Sequence, residues 1–154
     1  MANAMTLVPW TEGEVLLRLV FATMAGGLIG WNRHRAGKPA GIGTHALVAL
    51  GSGLFVAIPS GGGESHVDAL SRAIQGVAVG VGFLGAGEIF REPGPGMHVV
   101  GLTSAAALWV TAGLGLTIVA GPVFEALVAT ALVMAVLEIA PRLERRLPDP
   151  SRRL

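Results

Sequence analysis

Cysteine is absent from this 154-residue chain, which excludes disulfides, thiolate zinc sites and thiol catalysis. Charge is scarce as well. Only 14% of residues are charged against 52% hydrophobic, and the mean hydropathy of +0.65 lies outside the range of ordinary soluble domains. A formal net charge of +1 leaves no electrostatic footprint for a nucleic-acid partner. No basic region precedes the first apolar run, where Glu12 and Glu14 stand instead, so no cleaved signal is expected. No nucleophile–base motif and no membrane-embedded pair of acids occur, so neither an enzyme nor a cofactor is expected.

What is present is apolar chain in span-sized pieces. Ile74–Phe90 (IQGVAVGVGFLGAGEIF) holds five glycines and one charge, Glu88. Each interior glycine costs a helix roughly 1 kcal/mol in water, but in a bilayer backbone hydrogen bonds are too costly to break. A bare backbone there lets a neighbouring helix approach closely. Ala78, Gly82 and Ala86 recur every fourth residue and predict a packing face on this helix. Val15–Trp31, Thr44–Ile58, Leu102–Ala120 and Pro122–Ala140 supply four more spans, the last two divided at Gly121-Pro122. The expectation is one all-α domain: an integral membrane bundle of about five short, Gly/Ala-rich helices over residues 14–140. A short extracytoplasmic segment (1–13) precedes it and a basic cytoplasmic tail (141–154) follows, too short for a soluble domain.

Five spans place the termini on opposite sides. Arg33, Arg35 and Lys38, then Arg91, then Arg142, Arg145, Arg146, Arg152 and Arg153 fall on one side, against Arg72 alone on the other. Cytoplasmic loops carry the excess of basic residues. The amino terminus is therefore expected outside and the carboxyl terminus inside.

Three blocks, GGLIGWNRHRAGKPAGIGTHALVALG (26–51), SRAIQGVAVGVGFLGAGEIFRE (71–92) and GLTSAAALWVTAGLGL (101–116), resemble the MgtC/SapB family of bacterial membrane proteins over nearly all of 15–140. The resemblance implies a five-helix inner-membrane protein linked to adaptation to low magnesium, survival of pathogens inside host cells and restraint of the F-type ATP synthase. Members commonly carry a glutamate where this chain has Asn32 and an arginine where it has Gly43, which fits a lost ion pair across the first cytoplasmic loop. An apolar residue or threonine is frequent at the position of Glu88. Polar and cysteine positions of the virulence-associated founder correspond to Thr103 and Val110, and its acidic position to Glu92. Fold and membrane location carry over; the pathogenic role does not.

Two constellations are candidate sites. Asn32, Arg33, Thr44, His45, Glu88, Arg91 and Thr103 all fall near the cytoplasmic mouth, where a carboxylate, a histidine and hydroxyls can hold a cation or relay a proton. The alternatives are an i, i+3 pair of Glu88 with Arg91 and a helix-capping role for Thr44. At the outer side Arg18 shares a depth with Glu125 and Gln75, or snorkels to headgroups. Glu64, His66 and Asp68 in the outer loop read as a solvated linker more than as a divalent site. Trp31 reads as an interface anchor, Trp109 as core packing, and the basic tail as a contact for anionic lipid.

The function these residues suggest is regulatory: a homodimer or other homo-oligomer in the lipid bilayer that binds another membrane complex. Small-residue faces (Ala22, Gly26 and Gly30; Ala49, Gly53 and Ala57) suit such association. The alternative is a small cation or proton transporter acting as an oligomer, although transporters usually place polar groups at the midplane and Thr111 is among the few here.

Overall fold

A computed structural model describes residues 11–57, 64–92 and 98–146. Residues 1–10, 58–63, 93–97 and 147–154 lie outside the described residues. Five helices account for most of the rest: α1 Glu12–Arg35, α2 Ile42–Ala57, α3 Glu64–Glu88, α4 Leu102–Ala120 and α5 Val123–Glu144. Between α3 and α4, β1 (Phe90–Glu92) pairs antiparallel with β2 (His98–Val100), a hairpin the apolar pattern does not announce. Four helices are long and apolar enough to cross a membrane. The fifth, α2, has 16 residues, about 24 Å at ~1.5 Å per residue against a hydrocarbon core of ~30 Å.

The starts and stops follow local chemistry. Thr11 caps α1 in a capping box, its hydroxyl accepting from the Glu14 N–H while the Glu14 carboxylate accepts from the Thr11 N–H. Gly121 and Pro122 break α4 from α5 where the sequence places the break. Gly101 starts α4 with φ 94°, and a Cβ there would lie 1.8 Å from the Glu88 carbonyl oxygen, so only glycine fits between the end of α3 and the start of α4.

Many small residues lie inside with Ile29, Leu108 and Ile118, while many large apolar residues face outward. Ala22, Ala49, Ala107, Ala112 and Ala126 are buried, while Phe83, Val79 and Phe124 are 82%, 76% and 74% exposed. In water that distribution would be unstable; in lipid it is the expected one, because tails solvate large side chains and small ones let backbones meet. A Cβ at Gly26 would lie 2.4 Å from the His45 carbonyl oxygen, one at Gly30 2.6 Å from that of Gly41, and one at Gly115 2.2 Å from that of Ala49. The faces Ala22–Gly26–Gly30 and Ala49–Gly53 therefore do pack, and α1, α2 and α4 form a tight three-helix centre.

Two expectations change. First, α3 begins at Glu64, ten residues before the apolar run, so Glu64, His66 and Asp68 sit on helix rather than in a linker. Their polarity hides a helix whose first turns stand beyond the apolar stretch. Second, α3 packs through Val77, Val81 and Gly85, all buried, and not through Ala78–Gly82–Ala86. A Cβ at Gly82 would meet nothing within 4 Å, whereas one at Gly85 would touch Ala105 at 3.4 Å. Spacing identifies small residues; which small face packs is decided by the partner helix.

Candidate functional site

Helix register assembles the polar groups. His45 Nδ1 lies 2.9 Å from the Thr111 hydroxyl, a separation of 66 residues, and Ala49 opposes Gly115 while Gly53 opposes Val119 with the same offset. These contacts make α2 and α4 parallel neighbours. The Thr111 hydroxyl donates its proton to the Ala107 carbonyl at 2.7 Å, so it accepts from His45, and Nδ1 carries the hydrogen. His45 Nε2 is buried and makes no hydrogen bond.

Arg33 is the charged residue of this centre. It is 3% exposed, its Nη2 donates to the Ser104 hydroxyl at 3.4 Å, and its Nε–H has no partner. A guanidinium removed from water without a carboxylate is costly. Arg33 and His45 thus each bring one buried nitrogen without a partner to the α1–α2–α4 interface.

The other members of the expected cytoplasmic ring disperse. Asn32 turns to α5, its amide donating to the Glu138 carboxylate at 2.9 Å, and the other Glu138 oxygen accepts from Arg142. Thr44 is the third residue of α2, so it is not the N-cap; it is exposed and lines an apolar groove between α2 and α3. Glu88 is half-buried as the last residue of α3, and Arg91 is exposed on β1. The helix ends before Arg91, so the i, i+3 geometry required for their pairing is absent. Thr103 is exposed in the first turn of α4. Six of the seven residues lie towards one end of the bundle, but in four separate environments, and His45 sits deeper, level with Thr111 at the middle of α4.

At the opposite end Arg18 does something the sequence does not suggest. Its Nη1 donates to the carbonyls of Gly121 at 2.8 Å and Ile118 at 3.0 Å. Those are unsatisfied acceptors of the last turn of α4, where the helix dipole favours a cation. Glu125 shares that depth but is exposed, and Gln75 donates within its own helix to Ser71 at 3.3 Å. Trp109, expected in the core, is 56% exposed, as is Trp31 at 55%.

Ser104 and Glu138 were not singled out by sequence. The available signal for Glu138 was a lone carboxylate late in the fifth apolar run, four residues before Arg142. Ser104 offered none, because its role depends on the register of α1 against α4. Among the described residues no cluster of three His, Cys, Asp or Glu could hold a metal ion.

Comparison with known proteins places this architecture. Protein SrpB of Synechococcus elongatus is 44% identical over 83% of this chain and 75% of its own length. YhiD of Escherichia coli K12 is 38% identical over 90% of this chain and 66% of its own. Protein MgtC of Salmonella typhimurium is 39% identical over 77% of this chain and 49% of its own. The chain thus spans from about half to three quarters of the relatives it matches. No solved structure matches it. The MgtC family model matches residues 19–146, covering all five helices but for the first turns of α1. This multi-pass membrane bundle belongs to the MgtC family.

Proposed function

We propose that the protein is a regulatory, non-enzymatic component of the bacterial cytoplasmic membrane that acts in adaptation to low magnesium by binding another membrane complex, such as the F-type ATP synthase. The observation that carries this reading is the closure of the bundle centre. Gly26 and Gly115 bring α1 and α4 against the backbone of α2, and the buried Arg33 places a positive charge at the basic end of that centre. A single chain built this way gives a hydrated cation no polar route, whereas its outward apolar faces suit association within the bilayer. The basic loops support an outside amino terminus and an inside carboxyl terminus, and a homo-oligomer fits the same reading.

A second reading is favoured by one relative, which bears the name "Putative magnesium transporter YhiD". In that reading several copies build a cation path between them. Two measurements separate the alternatives. Membranes from cells grown at low magnesium are crosslinked and the tagged chain is purified; the regulatory reading expects it in a larger complex. The purified chain is also placed in vesicles with a magnesium-sensitive dye. Protein-dependent magnesium entry would overturn the regulatory reading, as would elution of the chain alone after crosslinking.

A further inference from the structure

The seam between α1 and α5 holds two spaces, one following the other along α1. Helices α1 and α5 run parallel, with Asn32 bonded to Glu138 across 106 residues. Above that bond, Phe21, Met24, Leu28 and Trp31 of α1 face Leu127 and Thr130 of α5 across an apolar groove of about 590 Å³. Next along α1, at the bond, is a polar cavity of about 280 Å³ lined by Asn32, Arg35, Glu138, Arg142 and Arg145. On α1 the lining positions 21, 24, 28, 31 and 35 repeat at three and four residues, so both spaces lie along one helix face.

We propose that this seam binds one anionic phospholipid, its phosphate held by Arg35 and Arg145 and one acyl chain lying in the groove. Charge selects the headgroup. The cavity has three guanidiniums against one carboxylate, and that carboxylate is already bonded to Asn32 and Arg142. Among the described residues no carboxylate lies within 4.0 Å of Arg35 or Arg145. Guanidinium forks bind phosphate oxygens bidentately, and basic pockets between membrane helices on the cytoplasmic side suit anionic headgroups. Length selects a lipid over a soluble phosphate. From Phe21 to Trp31 the α1 wall of the groove runs about 15 Å at ~1.5 Å per residue, matching the ~15 Å of one hydrocarbon leaflet. Trp31 stands at the junction of apolar and polar portions, the level that an interfacial indole prefers. The leaflet assignment rests on the orientation proposed above; the binding itself does not.

The test uses the full chain in neutral detergent, with native mass spectrometry and thermal melting. Added phosphatidylglycerol is expected to persist as a one-to-one adduct and to raise the melting temperature. Phosphatidylcholine and the water-soluble glycerol phosphate should do neither. Arg35→Gln with Arg145→Gln, both at exposed positions, should weaken phosphatidylglycerol binding at least tenfold without lowering the melting temperature of the lipid-free protein. Gly27 lines the groove and a Cβ there meets nothing within 4 Å, so Gly27→Leu should fill the groove and weaken the lipid alone. Equal stabilisation by phosphatidylcholine, equal binding by glycerol phosphate, or undiminished binding in either variant would overturn the proposal. So would a loss of the adduct on neutralising Arg152 and Arg153 instead.

Discussion

Replacing Gly115 by alanine adds one methyl group at the closest helix contact among those that fix the centre. That methyl carbon would start 2.2 Å from the Ala49 carbonyl oxygen and 2.9 Å from its carbonyl carbon and Cα, while ordinary contact begins near 3.4 Å. Relief requires α2 and α4 to separate by more than an ångström, because the atoms met are backbone and cannot rotate away. Separation also lengthens the His45–Thr111 hydrogen bond, which lies one turn along the same seam. Overpacking of this kind costs about 1–3 kcal/mol. The better helix propensity of alanine offsets at most ~1 kcal/mol of it. A net loss of about 1–2 kcal/mol corresponds to a fall of roughly 2–8 °C in melting temperature for a chain of this size. Gly82→Ala is the matched control: the same chemical change on a face that meets nothing within 4 Å, expected to leave the melting temperature unchanged or slightly higher. The assay is the fraction of detergent-solubilised protein surviving heating, read by size-exclusion chromatography. If Gly115→Ala melts with the wild type while Gly82→Ala collapses, the helices are packed through other faces and the register argument fails.

Arg18→Met should cost about 1.5–3 kcal/mol, the value of hydrogen bonds to a charged group, because it strips the carbonyls of Ile118 and Gly121; Glu125→Gln, at an exposed position, should change thermal stability little, and the double variant should match Arg18→Met. Arg33→Met exchanges a buried guanidinium with an unfilled donor for an apolar chain of similar length, so its melting temperature should equal or exceed the wild type's, while growth at low magnesium should suffer if Arg33 serves function. Gly101→Ala should prevent accumulation of folded protein in membranes, since its φ of 94° and the Glu88 carbonyl at 1.8 Å leave no room for a Cβ; normal yield would refute the hairpin geometry. The chain has no native cysteine, so topology is read from single introduced thiols: Asp68→Cys should react with an impermeant reagent outside intact cells and Lys38→Cys should not.

The boundaries of the helices were legible wherever chemistry changes along the chain. Gly121-Pro122 divides α4 from α5 because glycine ends one helix and proline favours the start of the next, whereas Pro141 is carried inside α5 three residues before its end. The start of α3 was not legible, because Glu64 to Ser71 mixes polar residues with Val67, Ala69 and Leu70 and hydropathy reads the lipid boundary rather than the helix boundary. Faces were half legible. Ala22, Gly26 and Gly30 mark the packed side of α1, whose other flanks carry Leu16, Leu17 and Met24. On α3 glycines occur at 76, 80, 82, 85 and 87, on several sides of the helix, so spacing alone cannot choose among them.

Polar partnerships were the least legible part, and the reason is geometric. Arg33, His45 and Asn32 were each marked by polarity near one end of an apolar run, but their bonded partners lie 71, 66 and 106 residues away. Those distances are fixed by how far one helix slides along another, and within the α1–α2–α4 centre that slide is set by the glycine contacts at 26, 30 and 115. A one-turn slip of α4 against α2 would carry Thr111 about 5.4 Å from His45, leaving both ring nitrogens without partners in a buried place. The hydrogen bond and the close packing therefore select the same register. The polar centre is a consequence of where backbones can touch, which explains why Ser104, with an unremarkable small side chain at the start of α4, becomes the partner of the one charge buried there.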